Sequence, residues 1–304
     1  MPMHRSRTHW HLGMPHTITG ALSEIALFAQ AQDLHWKEMG RLTGCPASRQ
    51  VDVAGREVYA SIFFADFEGL LERGLSTFRP DDEIELVGTL GRYGTSVLDG
   101  LHRIYPAGTL PAVLPAVLPA APSLRLSFIL VGMGGGPDDL RVSTPSNARI
   151  DRIPLLDGEP DSYRLVRAAQ SAGGFASPHA DASRLWPGAY SRTYPINPDR
   201  DLNGVGLLYF ANYVAFLDAA ERHALEEAAG FSPEQLDGRV TLRRRIAYYG
   251  NARSSDQLHI DVEVFALDGP PPSRLLVHHQ VHRVSDGRLI ALASAERLLR
   301  SPGS

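Results

Sequence analysis

The sequence predicts an α+β chain in which one helix followed by four antiparallel strands occurs twice. Two observations carry this: the order of apolar periodicities, and a glycine-bounded helical stretch of similar length at the head of each half. Gly20 to Gly44 reads as the first helix, with Leu22, Ile25, Ala26, Ala29, Leu34, Trp36 and Met39 near helical spacing. Strand patterns follow at Val58 to Phe67, Glu83 to Arg92, Thr95 to Tyr105 and Leu124 to Met133. Gly206 to Gly230 reads as the second helix, and strands follow at Val240 to Tyr249, Gln257 to Leu267, Arg274 to Val284 and Leu289 to Leu299. Strands in runs, without a helix after each, exclude the alternating rhythm of a parallel doubly wound sheet.

The second helical stretch narrows the architecture. Val205 to Leu217 holds no charged residue and is apolar nearly all round. Such a helix must be buried on most faces, which a curved antiparallel sheet wrapped around it achieves. This is the hot-dog arrangement, and two copies in one chain give a double hot dog whose sheets can join edge to edge. The expected boundaries are 1–133 and 190–304 for the repeats, with 134–189 as linker. That linker carries one helix, Tyr163 to Ala172. Within the first repeat, Pro106 to Pro122 contains a tandem Leu-Pro-Ala-Val, where recurring proline forbids a helix and favours an extended loop.

Composition sets the outer limits. The 304 residues are 43% hydrophobic, enough for a full core, and the formal charge of -4 argues against a nucleic-acid partner. Lys37 is the only lysine, a skew toward arginine that reads as codon bias. The lone Cys45 excludes an internal disulfide and any multi-cysteine metal site. No stretch is long and apolar enough to span a membrane, and Met1 to Gly20 lacks a signal-peptide core. The expectation is a cytoplasmic protein without membrane association. Association of two chains into a homodimer is left open.

Several short motifs carry a resemblance: Ala21-Leu-Ser-Glu24 with Asp33-Leu-His-Trp36, Val58-Tyr-Ala-Ser61, Arg92-Tyr-Gly94, and Asn197 to Gly204 leading into Leu208 to Tyr213. In this order they resemble the double hot-dog acyltransferase/decarboxylase family of polyketide biosynthesis, of the leinamycin-pathway type. The resemblance implies methylmalonyl-CoA or malonyl-CoA as substrate and no cofactor. It further implies acyl transfer to a tyrosine, decarboxylation, and delivery of propionyl or acetyl to an acyl carrier protein. Ile25 and the Pro106 to Pro122 insertion depart from the family pattern and bear on substrate choice.

The resemblance places the acylated tyrosine at Tyr59. Strand alternation sets Tyr59, Ser61, Phe63 and Ala65 on one face; Ser61 then joins the substrate site. A phenol needs donors or positive charge nearby to act as a nucleophile, and Tyr93, Tyr209 and Tyr213 compete for the role. Asp201 or Asn203 suits a helix cap, and Gly204, Val205 and Gly206 would present backbone amides to a thioester oxygen at the helix start. Asn203, ahead of Asn212, is the candidate donor to an enolate oxygen. Arg243 and Arg245, in an Arg-Arg-Arg run, suit CoA phosphates or an acidic carrier protein, and equally a solvated strand edge.

Other signals point less far. His278, His279 and His282 lie in one strand without a carboxylate among them, and His9-Trp-His11 reads as a mobile arm. Gly132 to Gly136 is followed by Pro137 where a dinucleotide fingerprint needs glycine. Cys45 reads as structural. Asp218 and Glu221 are the carboxylates a thioesterase would use, but beside Arg222 they read as a solvated helix end. Two rival functions therefore stand beside the transferase: a thioesterase or dehydratase on the same fold, and a non-catalytic acyl-thioester or carrier-protein binding module.

Overall fold

The computed structural model describes residues 4–70, 74–134, 140–177, 179, 181–269 and 272–299. Between Tyr163 and Arg164 the chain divides into two compact units.

The first unit begins with a strand, β1 (His4–His11), followed by a helix, α1 (Glu24–Thr43). Four strands come next: β2 (Val58–Glu68), β3 (Glu83–Tyr93), β4 (Val97–Pro106) and β5 (Ser123–Met133). They form an antiparallel sheet in the order β1-β3-β4-β5-β2. Ser23 caps α1 by accepting from the Ala26 amide at 3.0 Å, so the helix starts at Glu24 rather than Gly20. At the other end Gly44 adopts φ 75°, a left-handed conformation that stops the helix. Leu27, Phe28, Ala31, Leu34 and Met39 make the buried stripe.

Two expectations fail in this unit. His9-Trp10-His11 belongs to β1, paired along its length with β3, and Trp10 is buried. In β2 a bulge between Ile62 and Phe64 shifts the pleat by one residue. Tyr59, Ser61 and Phe63 stay half-buried together, whereas Ala65 turns into the core.

The interior of this unit is unusual in holding two histidines. His35 of α1 stacks on Phe128 of β5 at 3.7 Å, and His102 projects from β4. Both rings lie against backbone: a methyl group on Gly100 would come within 3.0 Å of His35 Nδ1, and one on Gly88 within 3.0 Å of His102 Nδ1. Glycine at these two positions is what lets the imidazoles fit. Burial holds both rings below the ordinary histidine pKa, His102 at about 4.

The second unit repeats the plan. A helix, α2 (Asp161–Ala172), spans the division between the units. After it come β6 (Tyr190–Pro195), α3 (Tyr213–Ala229), β7 (Val240–Tyr248), β8 (Gln257–Ala266), β9 (Arg274–Arg283) and β10 (Leu289–Leu298). The sheet order is β6-β8-β9-β10-β7, the first order with each strand number raised by five. The correspondence reaches single residues: the sixth residues of β3 and β4, Gly88 and His102, pair, as do the sixth of β8 and β9, Val262 and His279. Like Gly44, Gly230 ends its helix in a left-handed conformation, at φ 72°.

The second helix begins seven residues later than Gly206. Asn203 Oδ1 accepts from the amides of Val205 and Leu207, and Gly206 sits at φ 76°, so 203–207 is a tight turn. Leu207 and Leu208 are buried as predicted, but in a loop, and Phe210 is buried in a 3-10 turn that leads into α3. Among the described residues no helix is long and apolar enough to cross a membrane.

His279, like His35 and His102, is buried, and its pKa lies at about 3 because burial and the nearby Arg244 and Arg297 oppose protonation. Each of the three stays neutral in the fold but titrates near pH 6.5 once unfolded. Stability is therefore full above pH 6.5 and falls as pH drops toward 4, by up to about 1.4 kcal/mol per pH unit for each histidine. Urea unfolding between pH 7 and pH 4.5 is expected to show this slope, and His102→Met to reduce it.

Candidate active site

Within the second unit, chemistry concentrates where α3 faces its sheet. Asp218 and Glu221 stand one turn apart on α3. The pleat of β7 turns Arg244 inward, fully buried, while Arg243 and Arg245 are half-buried and lie opposite Glu296 and Ser294 of β10. Arg297 enters from β10, and Arg239 from the approach to β7. Arg244 Nη2 and Arg297 Nη2 both donate to Asp218 Oδ1 at 2.5 Å. Arg297 also donates through Nε and Nη2 to Glu221 Oε2 at 3.0 and 2.8 Å, and Arg239 Nε stands 3.2 Å from Glu221 Oε1. Arg297 Nη1 bonds the Thr241 hydroxyl.

This arrangement corrects the reading of Asp218 and Glu221 as a solvated helix end. Glu221 is fully buried, and the neighbouring Arg222 turns away to Glu226 and Asp237. Asp218 differs from Glu221 in keeping 32% of its side chain exposed. Burial raises its pKa, but Arg244, Arg297 and Arg239 outweigh that and hold the carboxyl well below the usual carboxylate range. An accessible carboxylate fixed in its ionised form by two guanidiniums can act on an electrophile at neutral pH.

The other candidates fall into two places. In the first unit, Tyr59 meets Trp36 of α1 edge-on, with ring centres 5.8 Å apart, and Ser61 lies on the same strand. Phe63 packs on Tyr163 at 5.1 Å. Tyr93, 38% exposed, also meets Tyr163. In the second unit, Asn203 holds the turn containing Gly204, Val205 and Gly206, and all three are exposed. That turn is not the start of a helix: the Val205 amide is given to Asn203 Oδ1 and the Gly206 amide to Asn203 O. Asp201 caps no long helix either. It is buried, bonded by Arg200 at 2.6 Å and by the Asn197 amide at 2.8 Å, and braces the loop. Asn212 donates to the Arg200 carbonyl at 3.0 Å. Burial raises the pKa of the Tyr213 phenol, which disfavours phenolate there.

The remaining motifs are accounted for locally. His278 and His282 lie across the sheet from His279. Among the described residues no group of three or more histidine, cysteine or acidic side chains is arranged to hold a metal. Cys45 contacts the carbonyls of Pro46 and Arg49. In the Gly132 to Gly136 motif, Gly135, Gly136 and Pro137 lie outside the described residues. The missed cluster did leave a trace in the sequence. Arg244 and Ile246 share one strand face, as do Ala293, Ala295 and Arg297. An arginine at an inward position demands a buried counter-charge.

No family model matches the chain, and no curated protein matches it in sequence. Solved structures do match in fold. The protein assigned as an oleoyl thioesterase of Lactobacillus plantarum is 10% identical, with a TM-score of 0.67 over 99% of this chain and 98% of that one. The 12:0-ACP thioesterase of Umbellularia californica is 13% identical, with a TM-score of 0.57 over 97% and 94%. An acyl-ACP thioesterase of Bacteroides thetaiotaomicron is 10% identical, with a TM-score of 0.56 over 96% and 97%.

The cluster also makes a stability prediction. Glu221→Leu strands Arg297 and Arg239 in the interior and is expected to cost about 3–5 kcal/mol. Asp218→Asn keeps a hydrogen-bond acceptor at a partly exposed position and is expected to cost less. Urea denaturation of the two variants checks the order. The repeated helix-and-sheet plan and the fold likeness over the whole chain together make this protein an α+β double hot dog.

Proposed function

We propose that the protein is an enzyme acting on acyl thioesters, acyl-CoA or acyl carrier protein in the cytoplasm, and that its reaction is hydrolysis with Asp218 as the working carboxylate. The observation that carries this reading is the Asp218 cluster: one accessible carboxylate, held ionised by Arg244 and Arg297, on the central helix of the second unit. The likeness to thioesterase structures along the whole chain supports the same class.

A carboxylate with lowered pKa is a weak base, which favours direct attack over activation of water. Asp218 Oδ attacks the thioester carbonyl carbon, the carbon–sulfur bond breaks, and the thiolate leaves and is protonated by solvent. Water then adds to the resulting anhydride, releasing the acid and restoring Asp218. Positive charge from the two arginines stabilises the oxyanion formed at each step. The Asn203–Leu207 turn, with its exposed glycines, is the proposed place for the thioester to land.

The second reading, acyl transfer with decarboxylation, is favoured by the half-buried position of Tyr59 beside Ser61 on β2. There the Tyr59 oxygen takes the acyl group from methylmalonyl-CoA as CoA thiolate leaves. Loss of carbon dioxide gives an enolate, protonation follows, and a carrier-protein thiol accepts the propionyl group.

One experiment separates the two. Thiol release and intact mass are followed with a saturated acyl-CoA and with methylmalonyl-CoA. Hydrolysis requires turnover of the saturated acyl-CoA, a loss of about 10²-fold or more in Asp218→Asn, and retention in Tyr59→Phe. A propionyl adduct on Tyr59, lost in Tyr59→Phe, establishes transfer instead. Tight carrier-protein binding without turnover of any thioester leaves only the binding module.

A further inference from the structure

The geometry points to a ligand site beneath the Pro/Ala loop of the first unit, for a small molecule with an alkyl or aryl body and a neutral or cationic polar end. A cavity of about 590 Å³ opens there, walled by Phe78, Ile84 and Ile104 on one side and by Leu110, Pro119 and Ala121 on the other. At roughly 30 Å³ per water this is space for about twenty waters, far more than a packing imperfection. It falls within the range of small-molecule pockets, about 300–1,000 Å³, and shares their mainly apolar lining.

The loop whose two ends line this cavity, Pro106, Ala107, Thr109 and Leu110 on entering and Pro119 to Pro122 on leaving, is built rather than draped. In the tandem Leu-Pro-Ala-Val run, Leu110, Leu114 and Leu118 pack down against Val87 and Tyr105. Val113 and Val117, at the intervening positions, are 84% exposed. Arg5 of β1 donates to the carbonyls of Pro115 and Ala116 at 2.6 and 2.5 Å, and Arg7 donates to that of Pro111 at 2.8 Å. Tyr105 Oη donates to the Pro119 carbonyl at 2.8 Å. Proline fixes φ along the same stretch. The loop is thus pinned at four carbonyls and stiff between them, so it does not collapse to fill the space.

Charge selects the occupant. Asp82 and Glu83 line the cavity, and Asp81 adjoins them. The nearby Arg79 donates to the Gly20 carbonyl at 3.0 Å and keeps its positive charge, so the three carboxylates of Asp81, Asp82 and Glu83 outnumber it. Glu83, 58% exposed, has His11 as its hydrogen-bond partner. A fatty carboxylate entering here meets like charge, whereas an alkylammonium or an alcohol does not. The cavity lies wholly in the first unit, so this inference stands whether or not Asp218 is the working carboxylate.

The test compares octyltrimethylammonium and octanoate, each below its micellar concentration, and octanol, below its solubility limit, by isothermal titration calorimetry on the full chain. Octyltrimethylammonium and octanol are expected to bind, octanoate about tenfold or more weakly. Ala107→Trp, which fills the cavity, is expected to abolish binding of all three. The double variant Asp82→Asn, Glu83→Gln is expected to raise octanoate to the level of octanol. Should Ala107→Trp lose its native circular dichroism, Ala120→Phe at the exposed side of the loop takes its place. Absence of binding by any of the probes, equal binding of octanoate by the native chain, or binding unchanged in the filled variants overturns the proposal.

Discussion

The structure depends on one constraint: a central helix must be buried against a sheet that curves around it. Every other feature of each unit answers the question of what fills the space between the two. In the first unit the answer is neutral. His35 and His102 occupy it as uncharged imidazoles, and Gly88 and Gly100 give up their side chains so that the rings can lie on bare backbone. In the second unit the answer is ionic, with Asp218 and Glu221 set against Arg239, Arg244 and Arg297. Only His279, at the place in β9 that His102 holds in β4, keeps the first solution inside the second.

These two solutions are not equivalent energetically. A buried neutral histidine costs the desolvation of two ring nitrogens and resists charging, so it adds rigidity but little reactivity. A buried ion network costs far more to desolvate, and its attractions only about compensate. An apolar filling would serve stability as well or better. Retaining five charges between this helix and its sheet, where the first unit places neutral histidines, therefore needs a reason other than stability, and the partial exposure of Asp218 supplies one.

How much of this was legible in the sequence follows from what each element buries. The eight strands after the helices were readable to within one or two residues: strands such as β2 and β8 alternate between a covered and a less covered face, while β3 and β10 are covered almost throughout. The two edge strands, His4–His11 and Tyr190–Pro195, were not. Along β1 only Trp10 is buried, and Arg5 and Arg7 instead reach the Pro/Ala loop, so no apolar rhythm marks it. The start of the second helix was misplaced because Leu207 and Leu208 are buried in a loop and Phe210 in a 3-10 turn, and apolar content alone does not distinguish these from a buried α-helix. At the site, Tyr59 and Asn203 were picked by motif. The Asp218 cluster needed partners 26 and 79 residues away, a separation that no local pattern records.

The Pro/Ala loop shows how such long-range dependence arises from ordinary chemistry. The outer face of β3 carries Glu85, 1% exposed, beneath the loop. Burial alone would neutralise it, but Arg7 donates to it at 2.5 Å and the Gly108 amide at 3.3 Å, so its pKa is lowered overall. Arg7 then turns its second nitrogen to the Pro111 carbonyl. A proline-rich segment has few amides with which to anchor itself, having lost one donor at each proline. It can be fixed only through its carbonyls, and carbonyls need donors from elsewhere. The arginines of β1 meet that need, and Glu85 holds one of them in place. A run of residues that forms neither helix nor strand is in this way given one position by arginines more than 100 residues distant in the chain.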